Sequence, residues 1–358
     1  MTADLAVVPG PVVSRVLGGR LPAATAAVRD AYLAHDRAET SNPRGVFLRP
    51  SPGSRDRAIG LPAYVGPLRT AGIKWISSVP ANIERGLPRA SAVVILNDPD
   101  TGRPFACLEG ATISAVRTAA SAALCLEAAG GGRETERLGI LGTGAIARMF
   151  LRVLAALGWR VGRLDLHDLD AARAEAFARR AAALLPGCAV GVAATARPVV
   201  HESSALLLTT TAGEPHLTDA GWLRPETTVL HLSLRDLGVE LVRRAQNIVD
   251  DRDHVVRERT SLHLAALEYP GEPLIDGTIA DLLLGRVGPR PDVPTVVSPF
   301  GLGILDIAVA RLVFDQARSE GAIVTVPGFF ADGPAPEPGG PAGPDPAPAR
   351  ARAPRERP

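Results

Sequence analysis

An α/β fold is what this sequence predicts: a doubly wound parallel sheet joined to a discontinuous α+β domain. Three observations carry that reading. From Arg137 onward, short apolar strands alternate with helices, the pattern of a parallel sheet covered on both faces. A glycine-rich turn stands between the first of those strands and its helix. A long amphipathic segment at 301–321 follows the last strand and is expected to return to the first part of the chain. The expected organisation is therefore residues 1–130 with 300–331 as one domain, 131–299 as the doubly wound domain, and 333–358 as a tail.

Each element has a local reason. "GIKWIS" reads as a strand, with Lys74, Ile76 and Ser78 on one face and Ile73, Trp75 and Ser77 on the other. "SAVVILNDPDTGRPFACLEG" reads as strand, Asp/Pro/Gly turn and strand, hence a hairpin. "GATISAVRTAASAALCLEAAG" reads as a helix of small residues closed by Gly130. "RLGILG" is an apolar strand and "AIARMFLRVLAALG" a helix closed by Gly158. "RVGRLDLHD" and "AARAEAFARRAAALL" repeat that unit, and "CAVGVAA", "ALLLTTT", "TVLHLSL" and "NIVDD" supply further strands. Residues 333–358 have no apolar period and are dominated by Pro, Ala and Gly, so a disordered tail with local polyproline character is expected.

Composition narrows the function. The 358 residues suffice for two domains. The net charge is +1, from 39 basic and 38 acidic residues, so no global field draws nucleic acid or anionic lipid. Aromatic residues make up only 4%, which disfavours a base-stacking surface. Cys107, Cys125 and Cys188 form no CxxC pair, so neither a disulfide framework nor a zinc site is expected, and a reducing cytoplasm fits best. The N-terminus has an acid at Asp4 and no basic start, which makes a poor signal peptide. No apolar run is long enough to span a membrane. No metal is expected.

The turn "GTGAIA" is Gly142-Thr143-Gly144-Ala145-Ile146-Ala147, a GxGxxA placed directly after a strand and opening a helix. Gly142 permits the tight turn, Gly144 lacks the Cβ that would block a pyrophosphate, and Ala147 keeps helix and strand close. Phosphate charge then meets free N–H groups at the positive helix end. This is the Rossmann fingerprint. Asp168 ends the second strand at the spacing expected for the acid that binds ribose hydroxyls, and a carboxylate there repels a 2′-phosphate. NAD is the expected cofactor. Asp168 or Asp170 also reads as a helix N-cap. Thr209, Thr210, Thr211 and Ser233 end later strands, where ligands of open α/β sheets bind; Thr210 and Ser233 are taken as cofactor-binding candidates.

Three cations suggest an anionic substrate. Lys74 on a half-buried strand face needs an anion, or else it reaches water along its apolar stem. Arg117 is the sole charged residue between Glu109 and Glu127 on a helix of small residues. Its planar fork suits a carboxylate; a structural pair with Glu109 is the other reading. Arg49, before a proline and a glycine-containing loop, adds a third positive group. Arg44, Arg55 and Arg57 look solvated, and Arg89 is undecided.

"GIKWIS", "DPDTGRPFACLEGATISAVRTAASA" and "GILGTGAIA", in this order, resemble the ornithine cyclodeaminase/μ-crystallin family over most of residues 45–320. The resemblance implies a substrate and dimerisation domain made of the first part plus a C-terminal helix, an NAD(P)-binding Rossmann domain between them, and a homodimer. It implies that Lys74, Arg117 and Arg49 bind substrate. "HLSLRD" and "IKWISSVPANIERGLPRASAVVILND" look like the branch that oxidises N-(2-amino-2-carboxyethyl)-L-glutamate with NAD. That branch releases 2-oxoglutarate and L-2,3-diaminopropionate, a siderophore and peptide building block. Ornithine cyclodeaminases carry G-x-D-x-P-G-K-x-E-L where this chain runs Leu232 to Leu241; here the proline and lysine are absent and Asp236 stands two residues closer to Glu240. Asp236 is thus an acid–base candidate by type and not by register, with Lys74 the second. The alternatives are an ornithine cyclodeaminase and a non-catalytic, crystallin-like NAD(P)H-dependent binding protein.

Overall fold

The computed structural model describes residues 4–51 and 53–330, so the expected tail at 333–358 lies outside the described residues. Two eight-stranded sheets organise them. The first contains β1 (Leu5–Val8), β2 (Thr40–Ser41), β3 (Val46–Leu48), β4 (Arg57–Val65), β5 (Thr70–Ser78), β6 (Ala90–Asn97), β7 (Pro104–Glu109) and β16 (Val324–Val326). Its order is β16-β1-β7-β6-β5-β4-β2, with β3 also on β4. Only β1 and β7 run parallel; the other pairs are antiparallel. β6 and β7 form the expected hairpin, whose turn is held by Asp98 accepting from the N–H groups of Asp100 and Thr101. Pro62 interrupts β4 without cost. It falls between the stretch that pairs β3 and the stretch that pairs β2, where no ladder donor is needed.

The second sheet contains β8 (Glu134–Leu141), β9 (Arg160–His167), β10 (Ala189–Val192), β11 (Ala205–Leu208), β12 (Thr228–His231), β13 (Gln246–Val249), β14 (Gly277–Thr278) and β15 (Thr295–Ser298). All its pairs are parallel, in the order β10-β9-β8-β11-β12-β15-β13-β14. Strands β11, β12, β13 and β15 are buried along their whole length, as covered parallel strands must be. Leu207 packs into one core, and its neighbours Leu206 and Leu208 into the other. The strand order reverses between β8 and β11, which opens a crevice at their carboxyl ends.

The helices are α1 (Gly10–Gly18), α2 (Leu21–Asp36), α3 (Ala111–Gly130), α4 (Ala145–Ala156), α5 (Ala171–Leu184), α6 (Ala196–Glu202), α7 (Val239–Arg244), α8 (Arg252–Val255), α9 (Ser261–Glu268), α10 (Ile279–Leu283) and α11 (Gly303–Ser319). α3 includes Gly130 and is closed one residue later than its sequence suggests, by Gly131, whose φ of 70° is the left-handed closing conformation. Its alanines, Ala119, Ala120, Ala122 and Ala123, are buried, so α2, α4 and α11 approach it closely. α11 lies on the first sheet. A Cβ on Gly72 would stand 2.7 Å from Ile307 Cδ1, so the missing side chain on β5 is what seats this helix. Strand β16 then pairs antiparallel with β1. Among the described residues no helix is long and apolar enough to cross a membrane.

Candidate active site

The glycine turn opens the crevice. Gly142 has φ +90°, and a Cβ there would lie 2.8 Å from the Thr209 carbonyl, so the turn admits only glycine. Gly144 caps α4 in extended conformation, with open space where its Cβ would be and no side chain on the first-turn N–H groups. Ala147 is fully buried. Uncapped N–H groups at a positive helix end, facing open space, fit a pyrophosphate. Gly144, Ala145 and Ile146 supply that edge, and Ile146 also lines the cavity described below.

Both acids read as possible caps have separate places. Asp170 is the cap of α5, accepting from Arg173 N at 3.0 Å. Asp168 turns back to the glycine loop, where Oδ2 accepts from Thr143 N and Thr143 Oγ1 at 2.8 Å each. Burial would raise the Asp168 carboxyl, but the N–H groups of Thr143 and Asp170 outweigh it and hold it below the usual range. The side chain of Thr143 is buried and its N–H and hydroxyl are both spent on Asp168, so neither is left to donate to a cofactor. His167 Nδ1 lies 3.0 Å from the Ala193 carbonyl, a structural contact.

A cavity of about 740 Å³ joins this crevice to the first sheet. β4 contributes Arg57, Ile59 and Leu61, and β5 contributes Lys74, Ile76 and Ser78, the alternate residues of each strand. Opposite lie Thr209–Gly213 and Leu232–Arg235, the segments that follow β11 and β12. Lys74 and Arg117 therefore share one chamber with Thr210 and Ser233.

The first anion that Lys74 meets belongs to the protein. Its Nζ donates to Asp306 Oδ2 at 2.7 Å and to Ser114 Oγ at 3.1 Å. Arg117 Nε donates to the other oxygen of the same carboxylate at 3.2 Å. Lys74 and Asp306 are 1% and 0% exposed, and Arg117 is 12% exposed. Arg117 does not pair with Glu109; that carboxylate caps α3 through the N–H groups of Ala111 and Thr112. Two cations share one buried acid, so the cluster keeps an excess positive charge. Burial, and then the Arg117 guanidinium, push the Lys74 ammonium down to about 8, while Asp306 opposes the shift. An ammonium has three donors and two are taken, which leaves one for a ligand. Gly301, at φ +103°, makes room for the guanidinium: a Cβ there would stand 2.8 Å from Arg117 Nη1.

Asp236 is set differently from the acid–base role its residue type suggested. It is fully buried. Thr210 Oγ1 and Ser233 Oγ donate to its two oxygens, His216 Nε2 lies 2.9 Å from Oδ1, and His231 Nε2 lies 3.2 Å from Oδ2. Burial would raise this carboxyl, but hydrogen bonds from His216, His231 and Ser233 more than offset that and hold it far below the usual carboxylate range. A carboxylate so satisfied is a poor proton acceptor. It fixes the Thr210 and Ser233 hydroxyls, whose donors are spent on it; Thr210 Oγ1 also accepts from Ala212 N at 3.1 Å, so one of its lone pairs, and those of Ser233, remain for the chamber.

The outer rim is rich in arginine. Arg49 pairs with Glu258, and Arg235 Nη2 donates to the Glu258 carbonyl at 2.7 Å. Arg57 is not solvated as its sequence context implied. It is partly buried, it lines the cavity, and its Nε is buried with no hydrogen-bond partner among the described residues. Leu234, Glu258 and Arg259 line the same rim at φ +67°, +52° and +54°, a strained backbone of the kind that collects at binding sites.

Sequence reasoning did not single out Asp306, His216 or His231. A lone acid inside the apolar run "GILDIAVA" was the available signal for Asp306. Its partner stands 232 residues away, so no local spacing connects them.

With this geometry in hand, the relatives are informative. Over 305 residues, 82% of this chain and 90% of the relative, the sequence is 27% identical to the N-((2S)-2-amino-2-carboxyethyl)-L-glutamate dehydrogenase of Staphylococcus aureus. The fold matches the Δ1-pyrroline-2-carboxylate reductase of Thermococcus litoralis, solved with NADH and L-proline, at a TM-score of 0.82 and 24% identity, covering 90% of this chain and 100% of that one. It also matches an archaeal alanine dehydrogenase dimer with bound NAD at a TM-score of 0.81 and 23% identity, covering 91% and 100%. The model of the ornithine cyclodeaminase/mu-crystallin family matches residues 24–321, most of the chain, and the protein belongs to that family.

Proposed function

We propose that this protein is an NAD-dependent dehydrogenase acting on a CH–NH bond, with N-(2-amino-2-carboxyethyl)-L-glutamate as substrate and 2-oxoglutarate and L-2,3-diaminopropionate as products. The observation that carries the reading is the Lys74–Asp306–Arg117 cluster, which shares one cavity with the mouth of the dinucleotide crevice. The names of the relatives support the chemistry: one is a dehydrogenase of this substrate, and two fold neighbours hold NADH or NAD.

Bound NAD supplies a hydride acceptor. Gly144, Ala145 and Ile146 would hold its pyrophosphate, Asp168 its ribose, and the remaining lone pairs of Thr210 and Ser233 its carboxamide. The fork of Arg117 binds the carboxylate beside the reacting carbon, the one free position of Lys74 turns to the reacting nitrogen once its ammonium has lost a proton, and Arg49 lies at the rim. The substrate amine reacts as the neutral secondary amine. It loses a hydride from carbon and a proton from nitrogen, and the C–N bond becomes an imine. Water adds to that carbon, and the carbinolamine breaks its C–N bond to give a ketone and a primary amine. The sum is amine, water and NAD giving ketone, amine, NADH and one proton. Lys74, poised near pH 8, accepts the proton from nitrogen or water and returns one to the leaving amine. Asp236, already saturated, serves by orienting Thr210 and Ser233. The diaminopropionate then supplies siderophore or peptide natural-product assembly.

Incubating the full chain with NAD and N-(2-amino-2-carboxyethyl)-L-glutamate, the conjugate of glutamate and diaminopropionate, tests this reading directly. One NADH and one 2-oxoglutarate should appear per conjugate consumed. Release of ammonia from ornithine without net NADH would instead identify a cyclodeaminase. The charge of the cavity argues against ornithine, because its second ammonium would face a rim of arginines.

We also propose a homodimer. Val46, Gly60, Trp75 and Val93 lie in one register row across β3 to β6, on the face away from the cavity. Val46, Trp75 and Val93 are 64%, 40% and 39% exposed, an apolar strip of the sort that marks an interface. Trp75→Glu places a charge at its centre and should weaken the dimer by at least about tenfold, as loss of an aromatic anchor does. Sedimentation at micromolar concentration reads this, and an unchanged dimer would assign the strip another role.

A further inference from the structure

We propose that Arg57, Arg89 and Arg235 form a second anion subsite, separate from Lys74 and Arg117, that takes a further carboxylate of the substrate and selects polycarboxylates over simple amino acids. This rests on the proposed amine-oxidising reaction only for its choice of substrate; the subsite itself stands on geometry.

The cavity floor has a charge pattern. Lys74 lies opposite Leu61, Ile76 opposite Ile59, and Ser78 opposite Arg57, all on the cavity side. From Lys74 to the Arg57–Ser78 pair is four residues of strand, roughly 13 Å at the usual rise. The floor is thus cationic at its inner end, apolar at Ile59 and Ile76, and cationic again at its outer end. Arg89 joins the outer end, because its Nε donates to Ser78 Oγ at 3.2 Å, directly across the ladder from Arg57. Arg235 reaches the same rim from the segment after β12.

Among the described residues none of these guanidiniums forms an ion pair. Glu258 is the acid on this part of the lining, and its carboxylate is engaged by Arg49. Arg57 has no ion pair among the described residues, and its Nε is buried without a partner. Among the described residues Arg89 has only the Ser78 hydroxyl. Partly buried charges are ordinarily paired, because uncompensated burial is costly. Burial lowers the proton affinity of all three; repulsion from Arg235, Arg89 and Arg49 adds to it at Arg57, repulsion from Arg55 and Arg235 at Arg89, and repulsion from Arg49 and Arg259 at Arg235, where Glu258 works the other way. A ligand anion relieves that repulsion and supplies the missing acceptor. Planar carboxylates suit the forked donors. A substrate with carboxylates at both ends and an apolar or amine-bearing middle matches the floor. A monocarboxylic amino acid occupies only the inner end.

The test uses the full chain saturated with NADH and measures binding of tricarballylate, 2-oxoglutarate and L-alanine by calorimetry. Wild type should bind the two polycarboxylates more tightly than alanine. Arg57→Gln and Arg89→Gln should each weaken tricarballylate about 10- to 100-fold, the loss of one charge-assisted bond, while leaving alanine affinity within about twofold. Arg57→Lys should recover part of the loss. NADH affinity and thermal unfolding check that the variants fold. If both glutamine variants bind tricarballylate like wild type, the subsite does not exist. An equal loss for alanine would make the arginines structural and would also overturn it. If the conjugate is not oxidised but the polycarboxylate preference is present and vanishes in the variants, the subsite stands and the substrate reading fails. If the conjugate is oxidised with an unchanged KM in both variants, the reverse holds.

Discussion

Lys74→Met is expected to lower kcat/KM for the conjugate by about 10²–10⁴-fold, the usual worth of a positioned proton acceptor. Methionine keeps the length and apolar stem of the side chain but can neither titrate nor donate. The pH profile separates this from a packing defect. With its ammonium pushed down to about 8, Lys74 is protonated below that pH and neutral above it. Base action needs the neutral amine, so wild-type kcat/KM should rise through about pH 8, and the methionine variant should lose that limb. Lys74→Arg is the companion. It keeps a cation for the carboxylate but does not titrate, so it should retain substrate binding better than turnover. A wild-type profile that stays flat between about pH 7 and 9 would remove Lys74 from proton transfer.

Asp306→Asn should be the most damaging single change outside the chamber's surface. It keeps the shape of the side chain and removes the one negative charge between Lys74 and Arg117. Breaking a buried pair costs about 3–5 kcal/mol, because the remaining charges stay buried without compensation. Here two cations are left facing each other. The cheapest escape is for Lys74 to lose its proton. Asp306 raises the proton affinity of Lys74, so its removal must lower it further. Two measurements follow. Denaturant unfolding near neutral pH should show the stability loss, and any remaining kcat/KM should rise at a pH below 8 instead of through it. An unchanged midpoint together with an unchanged pH profile would mean that the carboxylate carries no charge in the native protein.

These two experiments bear on how the cluster works as a unit. In the proposed reaction Asp306 would set the poise of Lys74 and Arg117 and not compete with the substrate for them. Without it the lysine would be neutral and a weak anion binder, and with a second acid the pair would have no charge left for a ligand. One acid against two cations leaves one net positive charge, which suits one carboxylate. Gly301 and Ser114 complete the setting, the first by making room for the guanidinium and the second by accepting from Lys74.

Much of the architecture was legible in the residues themselves. Strand and helix periodicity from Arg137 onward, the Gly142–Ala147 turn and Asp168 are local patterns, and each is decided by neighbours a few positions away. A tight turn needs glycine wherever it is, and a parallel strand covered on both faces needs an apolar run. Lys74 and Arg117 stood out for the same kind of reason, as charges in apolar or small-residue surroundings. What they touch was decided elsewhere. Asp306 joins Lys74 across 232 residues and Arg117 across 189, and only the seating of α11 on Gly72 brings it there. Asp236 looked like a free acid because its hydroxyl and histidine partners come from two separate segments. Arg57 and Arg89 become one patch only through the β4–β5 register, which sets Arg57 against Ser78. Backbone conformation is written in short stretches, because turn sterics and side-chain periodicity act over a few residues. The balance of charge in a buried site is a sum over distant groups, and it takes a value only when the packed sheets and helices bring those groups within a hydrogen bond of one another.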